Sequence, residues 1–149
     1  MSLNEGLQAT YILDTNIWLD WLVFSSDTLV ELKAAHNDGE FEIIYTTEMI
    51  EELIDVISRT QFDLSPEQQE LIVQQMMAAA RRVDDAPKPL SSIKCKDKDD
   101  QVFIDTALAY RITWLISKDK HLLRLKNRAI KQQVNIGTVD DWLRKRQAL

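Results

Sequence analysis

Short runs of consecutive apolar residues alternate along this chain with longer stretches in which apolar positions recur every three or four residues. "TYIL" (10–13), "FEIIYT" (41–46), "TWLIS" (113–117) and "VNI" (134–136) are brief, rich in β-branched and aromatic residues, and bounded by polar positions. They predict strands, and unbroken apolar character predicts burial on both faces. Helical spacing fills the intervals. It predicts a helix over 17–24 and one capped by Ser26 or Asp27 that ends near Asn37, with Gly39 just past it. Over 47–59, Met49, Ile50, Leu53, Ile54 and Ile57 form an inward stripe. Ser65, Pro66 and Gln68 spell a capping box for a helix that turns Leu71, Ile72, Met76 and Met77 inward. Pro87 and Pro89 enforce a loop. A helix over 97–111 then presents Val102, Phe103, Ala107 and Tyr110, a short helix covers 120–126, and Thr138 caps the last one.

Strands that alternate with helices in this way predict an α/β fold, a three-layer α/β/α sandwich on a central, mostly parallel sheet. Residues 1–9 predict a flexible leader and 10–149 a single domain, long enough to bury a core without disulfides. No apolar run approaches the ~20 residues that span a bilayer, and the start lacks the features of a secretion signal. No membrane and a cytoplasmic location are the expectation, with which the single cysteine, Cys95, either fits as a mark of a reducing compartment or says nothing.

Charge changes the picture more by its distribution than by its sum. The net charge of −6 is wrong for a protein that merely coats nucleic acid. Acids cluster in 84–100, whereas 118–131 is basic. In parallel sheets, ligands collect at the carboxyl ends of strands. Asp14 follows the first strand, Glu52 lies in the helix after the second, Asp100 opens the helix after the proline loop, and Asp119 follows "TWLIS". Each has an ordinary reading as well: Asp14, Asp97 and Asp119 as helix caps, Asp100 as a first-turn acid, Glu52 as a solvated side chain. Taken together, three or four converging carboxylates repel one another and need cations. Oxygen-only ligands select Mg²⁺ or Mn²⁺ over zinc. His36 and His121 stand alone and read as surface residues. No phosphate-binding glycine loop and no nucleophile elbow is present.

"YILDTNIWLDWL", "TTEMIEELIDVI", "CKDKDDQVFIDTALAYRITWLISKDKHLL" and "IGTVDDWL" occur in the order and spacing of PIN domains, and the chain resembles that family from about residue 10 to 143. The branch it resembles most is that of toxin–antitoxin toxins. By position, Asp14, Glu52 and Asp100 match the family's core metal-binding acids and Asp119 the fourth. Thr15 and Asn16 match the polar pair after the first acid, Ser117 the hydroxyl near the fourth, and Asp97 an extra acid. Gln101 departs from the third consecutive acid of many relatives. The resemblance implies a metal-dependent ribonuclease that hydrolyses single-stranded RNA to 5′-phosphate and 3′-hydroxyl ends, with Mg²⁺ or Mn²⁺ as cofactor. It also implies an antitoxin partner and a homodimer, for which helix 17–24 is a candidate surface and equally a candidate piece of the core. Lys118, Lys120, Arg124 and Lys126 are candidate phosphate contacts. Trp18, Trp21, Trp114 and Trp142 either stack bases or, as their apolar surroundings favour, fill the core. Two rivals remain: a catalytically silent PIN-like RNA-binding or scaffolding module, and a receiver-type signalling domain. The receiver lacks its phosphoacceptor Asp at the end of a middle strand.

Overall fold

Tyr11, Ile12 and Leu13 are consecutive, and all three are buried. Successive strand side chains point to opposite faces, so a covered pair of neighbours requires layers on both sides of the sheet. The computed structural model describes residues 8–86 and 93–148 and has that architecture. β1 (Ala9–Leu13) leads into α1 (Thr15–Leu22). After α2 (Val30–Asn37) come β2 (Phe41–Tyr45), α3 (Thr47–Ile57), α4 (Pro66–Ala79) and β3 (Arg81–Arg82). Then follow α5 (Gln101–Ala109), β4 (Trp114–Ile116), α6 (Lys120–Leu123), α7 (Lys126–Ala129), β5 (Asn135–Gly137) and α8 (Val139–Gln147).

The five strands run in the order β3-β2-β1-β4-β5, and every pairing is parallel. Helices cover both faces, giving the three-layer α/β/α arrangement. α1, α3 and α4 pack on one another, α2 lies on β2, and α8 lies on β5. Ile12, Ile43, Leu115 and Ile116 are sealed in the sheet, with Phe103 and Ile104 of α5 and Leu53 of α3 against them.

Local chemistry explains most boundaries. Ser65 and Gln68 exchange both bonds of a capping box at α4, and Thr138 with Asp141 does the same at α8. Ser26 caps a short 3₁₀ turn over Asp27–Leu29 rather than α2 itself. The predicted helix over 97–111 is a 3₁₀ turn (Lys98–Asp100) followed by α5, and that over 120–126 divides into α6 and α7. β1 begins at Ala9, and Gln8 already donates to the Gly39 carbonyl at 2.9 Å, so the expected leader's last two residues are tied to the domain. Pro87 and Pro89 lie outside the described residues, as do residues 1–7 of the leader.

Some predicted inward positions face out. Leu71 and Met77 are each 54% exposed, because α4 buries Ile72 and Met76 and packs Val73 and Ala79 at the margin of the core, which leaves the Leu71/Met77 side open. Ile54 is exposed on α3. Tyr110 lies just past α5, and its hydroxyl donates to the Asp84 carbonyl. The 17–24 segment is mainly core, with Ile17, Trp18 and Leu19 buried and Phe24 alone exposed at its end.

Gly137 closes β5 where α8 returns over the sheet. A Cβ there would stand 2.8 Å from Asp141 Cβ and 3.1 Å from Trp114 Cζ3. Gly137→Ala therefore expels Asp141 from its cap, and a loss of about 1–3 kcal/mol is expected in urea unfolding.

Candidate metal centre at the sheet switch point

The strand order reverses between β1 and β4: the chain builds outward from β1 through β2 to β3, then returns to the other side of β1. Such a reversal opens a crevice at the carboxyl ends of the two flanking strands. Asp14 ends β1 and Ser117 ends β4, so the crevice is lined from its two walls by adjacent chain termini of the ladder.

Asp14 is buried and serves as N-cap of α1, its Oδ1 accepting from the Thr15 amide at 2.6 Å. Its Oδ2 accepts from the Ser117 hydroxyl at 2.7 Å, across 103 residues of chain. The Asp14 amide donates to the Ile116 carbonyl, which fixes the backbone as well. The helix-cap reading is therefore correct in geometry, and it leaves Asp14 held at the crevice. Burial pushes its carboxyl above the ordinary value, the Ser117 hydroxyl and Thr15 amide pull it back, and the charge of Asp119 adds to the rise.

Asp119 is half-buried. Its amide donates to Ser117 Oγ, and its Oδ1 accepts from the His121 amide, capping α6. Ser117 thus joins the two acids through one hydroxyl. His121 is half-buried, not on the surface, and its Nδ1 is buried without a hydrogen bond among the described residues. His36 is half-buried too, its Nε2 bonded to the Ala79 carbonyl.

Asp100 closes the 3₁₀ turn ahead of α5 and is 7% exposed, whereas Asp99 is exposed. Asp97 caps this turn by accepting from the Asp99 amide. The Asp100 carboxyl is pushed up to about 7, first by burial, then by the charges of Asp119, Asp14 and Asp97, and by a hydrogen bond shared with Asp119. Its Oδ2 is buried and makes no hydrogen bond among the described residues. An acid kept uncompensated in this way is costly unless a proton or a cation satisfies it.

Glu52 is half-buried on α3 rather than solvated. Burial raises its carboxyl, the Thr15 hydroxyl donates to it and opposes the rise, and the charges of Asp14 and Asp99 add to it. Asp14 therefore has Asp100, Asp119 and Glu52 as acidic neighbours. No three His, Cys, Asp or Glu side chains among the described residues close to metal-holding distance. The donor set remains all oxygen, which suits a hard divalent cation.

The remaining sequence candidates divide. Thr15 is buried and bonded to Glu52, while Asn16 is exposed at the start of α1. Lys118 is engaged by Asp20 at 2.7 Å, and Lys120, Arg124 and Lys126 are exposed along α6 and α7. Trp18, Trp114 and Trp142 are buried, so they do not offer faces to bases. A cleft of about 980 Å³ opens beside the acids between α3 and α5, lined by Glu48, Glu51, Glu52, Asp99 and Asp105 with Arg59, Lys94 and Lys98 among them.

Sequence reasoning missed Asp105 and the part played by Gln101. Asp105 is buried on α5, its Oδ1 accepting from Gln101 Nε2 at 2.9 Å. The i, i+4 spacing of Gln101 and Asp105 was the available signal.

No helix among the described residues is long and apolar enough to cross a membrane. The model of the family described as "PIN domain" matches residues 10–121. No curated protein matches significantly. Ten chains of solved structures match. One is from the crystal structure of VapBC2 from Rickettsia felis bound to a DNA fragment from its promoter. It has 15% identity and a TM-score of 0.58, and the match covers 85% of this chain and 96% of that one. That likeness is one of fold, and the family match spans most of the chain: this protein belongs to the PIN domain family.

Proposed function

We propose that this protein is a divalent-metal-dependent endoribonuclease that hydrolyses single-stranded RNA, and the toxin of a toxin–antitoxin pair. The observation that carries the reading is Asp100: buried, with an oxygen lacking any hydrogen bond among the described residues, beside Asp14 and Asp119 at the switch point. Family membership and the fold likeness to a VapBC2 structure support the nuclease and toxin readings.

Asp14 and Asp100 would hold Mg²⁺ or Mn²⁺, with Asp119 and Glu52 completing or orienting the shell. When bound, the cation supplies Lewis acidity, activating water and drawing charge from the scissile phosphate. Ser117 and Thr15 fix the two oxygens of Asp14, so this carboxylate cannot rotate away. Asp97 holds the turn that presents Asp100. Asn16 stands exposed at the mouth, where a polar side chain meets substrate or water. Lys120, Arg124 and Lys126 form the phosphate rim, and Lys118 joins them on leaving Asp20. Water attacks phosphorus, the P–O3′ bond breaks, and the products are a 5′-phosphate and a 3′-hydroxyl. No side chain forms a covalent intermediate. A small antitoxin covering the acids, a homodimer and a cytoplasmic location belong to the same reading.

Cleavage of labelled single-stranded RNA with Mn²⁺, lost in EDTA, is the deciding assay. The rival, a catalytically silent module, draws on the spacing of the acids, which do not close to metal-holding distance; RNA binding without cleavage would establish it. Binding can be read without activity. Mn²⁺ at 100 times its Kd should stabilise the fold by about 2.7 kcal/mol, seen as a raised Tm that EDTA reverses.

A further inference from the structure

Gln101 spends both ends of its side chain on the chain that precedes the acids. Its Oε1 accepts from the Cys95 amide at 2.6 Å, and its Nε2 donates to the Ile93 carbonyl and to Asp105 Oδ1, each at 2.9 Å. A primary amide that meets a C=O and an N–H two residues apart imitates a strand partner, and here it fastens residues 93–95 to the first turn of α5. The result is a closed loop. It runs from Cys95 through Asp97, Asp99 and Asp100 and is tied shut at Gln101.

That loop carries Asp100, whose side chain otherwise has the hydrogen bond shared with Asp119. The Asp100 Oδ2 has no hydrogen-bond donor among the described residues, and Asp14 and Asp119 repel it when ionised. Its backbone amide donates to the Asp97 carbonyl at 3.2 Å, within the same loop. A carboxylate pushed outward by its neighbours stays in the crevice only if its backbone is held from behind. We propose that Gln101 is a positioning residue, a clasp whose three hydrogen bonds to Ile93, Cys95 and Asp105 hold Asp100 in place to receive the cation. This rests on the metal-centre reading above. It also gives position 101 a role that a carboxylate cannot fill, since Ile93 O and Asp105 both require a donor.

The test uses the full chain, Mn²⁺ as the probe, calorimetric titration for affinity, and amide hydrogen exchange at Cys95 for the clasp. Gln101→Met keeps length and removes all three bonds. It should weaken Mn²⁺ binding about tenfold, in the range of outer-shell variants, and speed exchange at Cys95. Gln101→Glu keeps the acceptor for Cys95 but sets like charge against Asp105, and should weaken Mn²⁺ at least as much. Adding Asp105→Asn to Gln101→Glu reverses the polarity of that bond at unchanged net charge and should recover part of the lost affinity.

Unchanged affinity in Gln101→Met, with or without faster exchange, overturns the proposal. So does tighter binding in Gln101→Glu, which would make position 101 a ligand position. If Gln101→Met fails to fold, the single and double Glu variants decide alone by the presence or absence of rescue. Wild-type protein that binds no Mn²⁺ removes the metal-centre reading itself, an outcome distinct from a metal site indifferent to Gln101.

Discussion

Asp100→Asn should lower metal-dependent RNA cleavage at least ~100-fold, while the metal-free variant melts at the same or a higher temperature than wild type above pH 7. The two halves follow from one fact. In the ionised state Asp100 is buried, repelled by Asp119 and Asp14, and lacks a donor for Oδ2. Ionisation at that site costs folding free energy, and a cation turns the cost into affinity. An amide of the same shape cannot supply the charge but no longer carries the penalty. Asp14→Asn should abolish cleavage equally, yet gain less stability. Asp14 already receives hydrogen bonds from the Thr15 amide and the Ser117 hydroxyl, and an amide nitrogen facing Ser117 forces that hydroxyl to turn while it also accepts from Asp119 N. Cleavage rates in Mn²⁺ and melting in EDTA, taken side by side, separate the roles. A large drop in EDTA melting temperature for Asp100→Asn would mark it as a structural cap instead.

The places of Asp14 and Asp119 beside strand ends were legible in the sequence, because a buried parallel strand is a continuous apolar run and the polar residues after it mark its carboxyl end; Asp100 was legible only as an acid opening the helix after the proline loop. β3 was not legible, since Arg81 and Arg82 are exposed and a two-residue edge strand needs no apolar pattern. Periodicity likewise misplaced Leu71, Met77 and Ile54. It shows that a helix has an apolar stripe, not how wide a strip the neighbouring elements cover, and α4 is fully covered at Ile72 and Met76 but not at Leu71 and Met77. Glu52 looked solvated on periodicity because what half-buries it is the start of α1, with Thr15 against its carboxylate. Gln101 was invisible for a different reason. A long amide that bonds a loop backbone leaves no period, and composition marks only its i+4 partner Asp105. The basic segment was read by sequence adjacency, which cannot show that Lys118 is taken by Asp20 from α1. Distant partners of single polar side chains are the part of the site that the sequence pattern does not encode.

Acidity should weaken the metal site and strengthen the empty fold over the same pH interval. The folded-state carboxyl of Asp100 is raised from 3.8 to about 7, first by burial and then by the charges of Asp119, Asp14 and Asp97, so Asp100 takes up a proton near neutrality. For an acid raised on folding, the native state binds more protons than the unfolded chain between the two values. Its contribution to stability is therefore greatest below pH ~4, falls as pH rises from about 4 to 7, and is level above. Metal binding runs the other way, because the cation must displace that proton. Below pH 7 the Mn²⁺ affinity should drop nearly tenfold per unit, about thirtyfold between pH 8 and 5.5. Calorimetry in buffers of different ionisation enthalpy should count close to one proton released per Mn²⁺ at pH 6 and almost none at pH 8.5. In Asp100→Asn both slopes should flatten together, since one proton accounts for both. Loss of the stability slope with the affinity slope intact would assign the two to different carboxyls. The raised acid at the switch point would then be a feature of the fold without a part in holding the cation.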